Sequence, residues 1–112
     1  MFKIEAFLRP AAIEAVQEAL NGLGIQALSV LEVRGYGRQR GHREVYRGAE
    51  YSVDFVPKIK VEVVVSAEHR DAAIDAIVNA AKTGNVGDGK VFSYALDQAV
   101  RVRTGETGEA AL

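Results

Sequence analysis

Thr83-Gly84-Asn85-Val86-Gly87-Asp88-Gly89-Lys90 packs three glycines and a lysine into one short run. Glycines let backbone N–H groups come close to an anion and a lysine neutralises its charge, so the chemistry on offer is anion binding. The run satisfies G-x-x-x-x-G-K from Gly84 to Lys90. A phosphate-binding P-loop, however, joins a strand to a following helix and places Ser or Thr after the lysine to hold magnesium. Here the run follows a helical segment, precedes a strand-like one, and Val91 comes after the lysine. The Walker reading fails, and two readings stay open: an anion-binding turn, or a tight connector that needs positive φ. Arg101 and Arg103 are two apart in a strand-like piece, Val100 to Arg103, which would send both guanidinium groups from one face, either to clamp a polyphosphate or to form a solvated edge. Gly35-Tyr36-Gly37-Arg38-Gln39 is a third candidate, offering close backbone approach, one guanidinium and one amide. By itself G-x-G is weak evidence.

Catalytic constellations are missing from the pattern. His42 and His69 have no serine or carboxylate placed for a triad and do not stand at metal-ligand spacing, so both read as surface histidines. The chain has no cysteine, which removes disulfides, thiolate nucleophiles and zinc-thiolate sites. Asp71 and Asp75 are one helical turn apart, the spacing of a solvated face. The favoured mode is binding rather than turnover.

The stretch 35–57 has neither helical nor strand periodicity, and loops longer than roughly a dozen residues are uncommon in compact domains unless they bind something or are disordered. It is rich in Gly and Arg yet keeps Tyr46, Tyr51 and Phe55, which pure linkers lack. We read it as a recognition arm. Net charge is -1 over 112 residues, against general nucleic-acid binding, but Arg34, Arg38, Arg40, Arg43, Arg47, Lys58 and Lys60 face only Glu44, Glu50 and Asp54 in the same interval. That local excess suits phosphate, carboxylate or an acidic partner. No apolar run approaches a membrane span and the first residues lack the regions of a signal peptide, so the expectation is a cytoplasmic protein without membrane insertion.

The elements that must position these residues are legible from periodicity. Phe2 to Leu8 alternates as a strand, and Pro10 stands where a helix can begin. Ile13, Val16, Leu20 and Leu23 recur at helical spacing, with Asn21-Gly22 as a left-handed stop. Gln26 to Arg34 is β-rich, and Ile59, Val61, Val63 and Val65 alternate with Lys60, Glu62 and Val64. Ala73, Ile74, Ile77, Val78 and Ala81 form a second helical stripe, opened by 66–71 and stopped at Thr83-Gly84. Val91 to Leu96 makes a last strand. The order βαββαβ predicts one α+β domain over 1–112: a ferredoxin-like sandwich, an antiparallel sheet with both helices on one face, a long loop (about 37–55) between strands 2 and 3, and a C-terminal tail (about 98–112) that frays. The uncovered sheet face is expected to carry many apolar residues, which implies a homo-oligomer.

Separated blocks coincide, and with them the chain closely resembles the PII nitrogen-regulatory signal-transduction proteins. Tyr46-Arg47-Gly48-Ala49-Glu50-Tyr51 is similar to the family's first signature and 83–92 to its second, while 35–41 and 100–106 fit the flanking blocks. The resemblance runs over essentially the whole chain. It implies a homotrimer that binds ATP or ADP in clefts between neighbouring subunits. By matching positions, Gly87, Asp88, Gly89 and Lys90 would hold phosphates, with Arg101 and Arg103 reaching in from a neighbour. Ser29, Glu62, Val64 and Thr83 would lie near adenosine, and Gly35, Gly37, Arg38 and Gln39 near the phosphates at the base of the loop. Gln39 would also contact Mg2+ and 2-oxoglutarate, whose carboxylates would meet Lys58, Gly87 and loop backbone. Ser29, Tyr36, Arg40 and Ala11-Ala12 depart from the commonest residues without removing a ligand. Ala49 excludes the serine phosphorylation of some relatives at that site. Tyr51 matches a tyrosine that is uridylylated or adenylylated in others; docking of an aromatic loop tip is the alternative.

The resemblance implies a non-enzymatic regulator of nitrogen metabolism. Its loop would change posture with ATP, Mg2+ and 2-oxoglutarate or with ADP, and would control an ammonium channel or biosynthetic and modifying enzymes. Alternatives are a PII-like regulator that senses another small molecule, and a slow ATPase using the same cleft. An RNA-binding ferredoxin-like domain is disfavoured because the central strands lack paired exposed aromatics for base stacking.

Overall fold

Alternation of apolar and polar residues sets the strands. Ile4, Ala6 and Leu8 are buried while Lys3, Glu5 and Phe7 are half-buried, which makes Phe2–Leu8 the strand β1. The rest follows as α1 (Ile13–Gly22), β2 (Ser29–Gly35), β3 (Arg43–Tyr46), β4 (Ala49–Ser52), β5 (Val56–Val65), α2 (Arg70–Ala81) and β6 (Lys90–Ala95). This computed structural model describes residues 1–36, 43–46, 49–52 and 55–112, the two short inner segments through their backbone pairing. The main sheet is antiparallel in the order β2-β5-β1-β6. Its buried side, Ile4, Ala6, Leu8, Ile59, Val61, Val63 and Val65, packs on Val16 and Leu20 of α1 and on Ala73, Ile77 and Ala81 of α2. This is the expected ferredoxin-like α+β sandwich.

Four details depart from the expectations. The loop contains a second, two-stranded antiparallel sheet, β3 on β4, running from Arg43↔Ser52 to Tyr46↔Ala49 and placing Tyr51 opposite Glu44. Arg43–Tyr46 and Ala49–Ser52 show no strict apolar alternation in sequence, so periodicity gives no strand signal there. The left-handed residue that ends α1 is Gly24 (φ 81), not Asn21-Gly22; Ile25 N–H donates to Leu20 O and Gly24 N–H to Asn21 O, the paired bonds of a Schellman stop. The C-terminal segment is folded back and hydrogen-bonded to itself. Val100 bridges Thr107, Gly108 N–H donates to Ala99 O, and 108–111 forms a 3-10 turn.

The open sheet face is mixed rather than apolar. Beside Phe7, Val64, Phe92 and Tyr94 lies a charge network in which Lys3 and Lys60 reach Glu62 at 3.1 and 2.9 Å. Tyr94 donates to Glu5 at 3.0 Å. Hydrogen bonds from Lys60 and Lys3 hold the Glu62 carboxyl below its ordinary pKa, and Glu62 raises both lysines. Valine on both sides of the β5 pattern suggested otherwise, but β5 between Lys58 and Val65 puts only Val64 on that side.

Candidate functional site

The glycine turn after α2 is organised by one carboxylate. Asp88 accepts hydrogen bonds from the N–H groups of Thr83 and Gly84, both at 2.8 Å, and from the Thr83 hydroxyl. The Thr83 hydroxyl and N–H are the chief reasons that the Asp88 carboxyl sits well below the usual carboxylate range. Asp88 therefore orders the turn rather than facing an anion with its own charge. Gly89 has φ 105, and a Cβ there would lie 1.7 Å from the Phe7 carbonyl oxygen, so only glycine lets the turn settle against the end of β1.

Two cations tie this turn to the sheet. Arg9, the residue after β1, donates through Nη2 to Val86 O at 2.6 Å and pairs through Nε with Asp88 at 3.5 Å. Lys58 of β5 donates through Nζ to Gly87 O at 2.6 Å. Partial burial lowers the Lys58 pKa, and the neighbouring Arg9 charge lowers it further against the opposing pull of Asp88. Arg9 escaped the reading of the sequence. An arginine immediately before the helix-opening Pro10 carries no local sign of a partner about eighty positions away; the signal available was only its place at the end of a strand.

Beneath the turn opens a cleft of about 890 Å³ that brings together Gly35, Lys58, Gly87, Gly89 and Lys90 from the expected set. Its walls add Phe7, Val33, Tyr36, Val56 and Phe92, and none of the described lining residues is acidic. Phe7 meets Phe92 edge-on at 6.0 Å between ring centroids, and Tyr36 meets Phe55 at the same separation across the two roots of the loop. Cations, glycine backbone and aromatic walls together fit an anion that carries a flat or apolar body.

Other expected site residues stand elsewhere in the single chain. Ser29 is paired with Glu62 in the sheet, and Glu62 lies about 13 Å along β5 from Lys58. Val64 is one step farther on the same face, and Thr83 is engaged with Asp88. Arg101 and Arg103 follow the opposite end of β6 from Lys90. They do not share a strand face, because 102–104 is a turn. Arg101 is held by Glu106 at 3.0 Å and by the Leu112 carbonyl at 3.1 Å. Gly37, Arg38 and Gln39 lie outside the described residues. Among the described residues no group of three or more His, Asp or Glu stands close enough to hold a metal ion. No described helix is long and apolar enough to cross a membrane.

The family model "Nitrogen regulatory protein P-II" matches residues 1–106. Curated P-II proteins of Rhodobacter capsulatus and Haemophilus influenzae are 57% and 53% identical over 112 residues, each covering all of both chains. Among solved structures, Arabidopsis thaliana PII bound to citrate superposes with a TM-score of 0.82 at 38% identity, covering 99% of this chain and 91% of that one. With the ferredoxin-like sheet, the glycine turn and identity of this extent along its full length, the chain belongs to the nitrogen regulatory protein P-II family.

Proposed function

We propose that the protein is a non-enzymatic cytoplasmic regulator that binds ATP or ADP in this cleft, takes up 2-oxoglutarate beside it, and passes the state of the cleft to target proteins through the loop. The observation that carries the reading is the convergence of Lys58, Lys90, Gly87 and Gly89 on one cleft, with no acidic residue among its described lining residues. Lys90 and the turn take the phosphates, and Lys58 takes a carboxylate. Magnesium would supply charge neutralisation between phosphates and carboxylate, with Gln39 as its protein contact. Ser29, Glu62, Val64, Arg101 and Arg103 join the site in a homotrimer, where a second copy supplies what one chain holds too far away. Targets of the loop are an ammonium channel or enzymes of nitrogen assimilation, and Tyr51 is the candidate for covalent modification.

Titration calorimetry tests this directly. 2-Oxoglutarate should bind with Mg-ATP present and hardly at all without it, with a coupling of about 1 to 3 kcal/mol. Equal binding in both conditions rejects the scheme, as does a monomer by sedimentation. A second reading draws on the citrate in the Arabidopsis relative: the carboxylate subsite takes a polycarboxylate instead. Citrate displacing 2-oxoglutarate at equal concentration would favour it. Phosphate release under saturating ATP would reveal a slow ATPase.

A further inference from the structure

We propose that Arg9 is a positioning residue that keeps the glycine turn in place when a ligand carboxylate recruits Lys58. The inference rests on the reading of the cleft as a joint nucleotide and carboxylate site. Two consecutive carbonyls of the turn are each held by a cation: Val86 O by Arg9 and Gly87 O by Lys58, both at 2.6 Å. The two tethers differ in where they stand. Lys58 lines the cleft and Arg9 does not, so Arg9 grips the turn from outside the ligand's space.

A carboxylate forms a stronger, charge-assisted bond with an ammonium than a neutral carbonyl does, so a ligand carboxylate in the cleft draws Lys58 away from Gly87 O. The turn then depends on Arg9. Its planar guanidinium spans two acceptors, Val86 O and Asp88, and Asp88 in turn gathers Thr83 and Gly84, so one side chain braces the turn at its middle and its start. In a trans peptide the N–H points opposite to the preceding carbonyl, so holding Val86 O also aims the Gly87 N–H. Without Arg9, Lys58 would have to hold the turn and meet the carboxylate at once.

Calorimetry with Arg9→Gln separates this role from a general loss of structure. Affinity for ATP alone should fall by no more than roughly threefold, because Lys58 still holds Gly87 O, while the factor by which 2-oxoglutarate tightens ATP falls about tenfold. Arg9→Lys, which restores charge without the fork, should recover part of that factor. Equal losses in both quantities, or an intact coupling factor, overturn the proposal. Hydrogen exchange without any ligand gives an independent arm. The Gly84 amide should stay protected in Lys58→Met and lose protection when Arg9→Gln is added. Equal loss of protection in Lys58→Met alone overturns the assignment. If wild-type protein bound neither ATP nor 2-oxoglutarate, the reading of the cleft would fall, while the exchange arm would still decide the role of Arg9.

Discussion

Two turns of this molecule hold glycines at positive φ beside cationic side chains, yet they are built in opposite ways. The turn 83–90 is pinned by Arg9 and Lys58, 77 and 29 positions from their partners Val86 and Gly87, and by the backbone of Phe7 against Gly89. The turn 100–107 closes on itself: Val100 bridges Thr107, Gly105 N–H donates to Arg101 O at 2.8 Å, and Arg101 and Thr104 both bond Glu106. A locally closed turn can present a side chain to a partner without reporting on the rest of the fold. A turn tethered from two strands cannot shift without changing its tethers, so its geometry is linked to that of the sheet.

Substitutions should break this contrast in a definite order. Gly89→Ala puts a Cβ into the Phe7 carbonyl at an unfavourable φ, and should destabilise the fold by roughly 3 kcal/mol or more, a drop in Tm on the order of 10 °C. A melting curve within 2–3 °C of wild type, about 0.5 kcal/mol, would mean that the turn does not rest on β1. Asp88→Asn should come next. The Asp88 carboxyl titrates below its ordinary range, so its contribution is complete above pH of about 4 and is lost as pH falls toward the folded value. Acid unfolding of wild type should therefore steepen below that pH relative to Asp88→Asn; superimposable curves would contradict the role given to Asp88. Gly105→Ala meets open space at φ 73 and bears only left-handed strain, about 1 kcal/mol. Glu106→Gln removes one exposed ion pair of Arg101 and should cost below about 1 kcal/mol, with a smaller effect still in high salt. A Glu106 variant that unfolded as readily as Gly89→Ala would erase the distinction between the two turns.

The same contrast explains what could be read before the fold was known. The period-two run Ile59, Val61, Val63, Val65 and the helical stripe Val16, Leu20 follow from burial on one face, and they led to the βαββαβ order without any tertiary information. The glycines of 83–90 marked a turn, and Lys58 and Lys90 stood out by charge. The hairpin at β3 and β4, the closed C-terminal segment and the charged open face of the sheet did not announce themselves, because each depends on pairing between residues whose types permit several structures.

By itself the chain's order of residues determined the strand and helix periods, the glycine-rich turn with its lysine and the absence of cysteine chemistry, since these depend on local geometry and side-chain type. Only the tertiary structure decided that Arg9 and Lys58 share the carbonyls of one turn, that Asp88 serves that turn internally, and that Arg101 and Arg103 leave the far end of β6. Those facts arise where β1, β5 and the turn meet, and distances of that kind are set by packing across the sheet, which no run of neighbouring residues encodes.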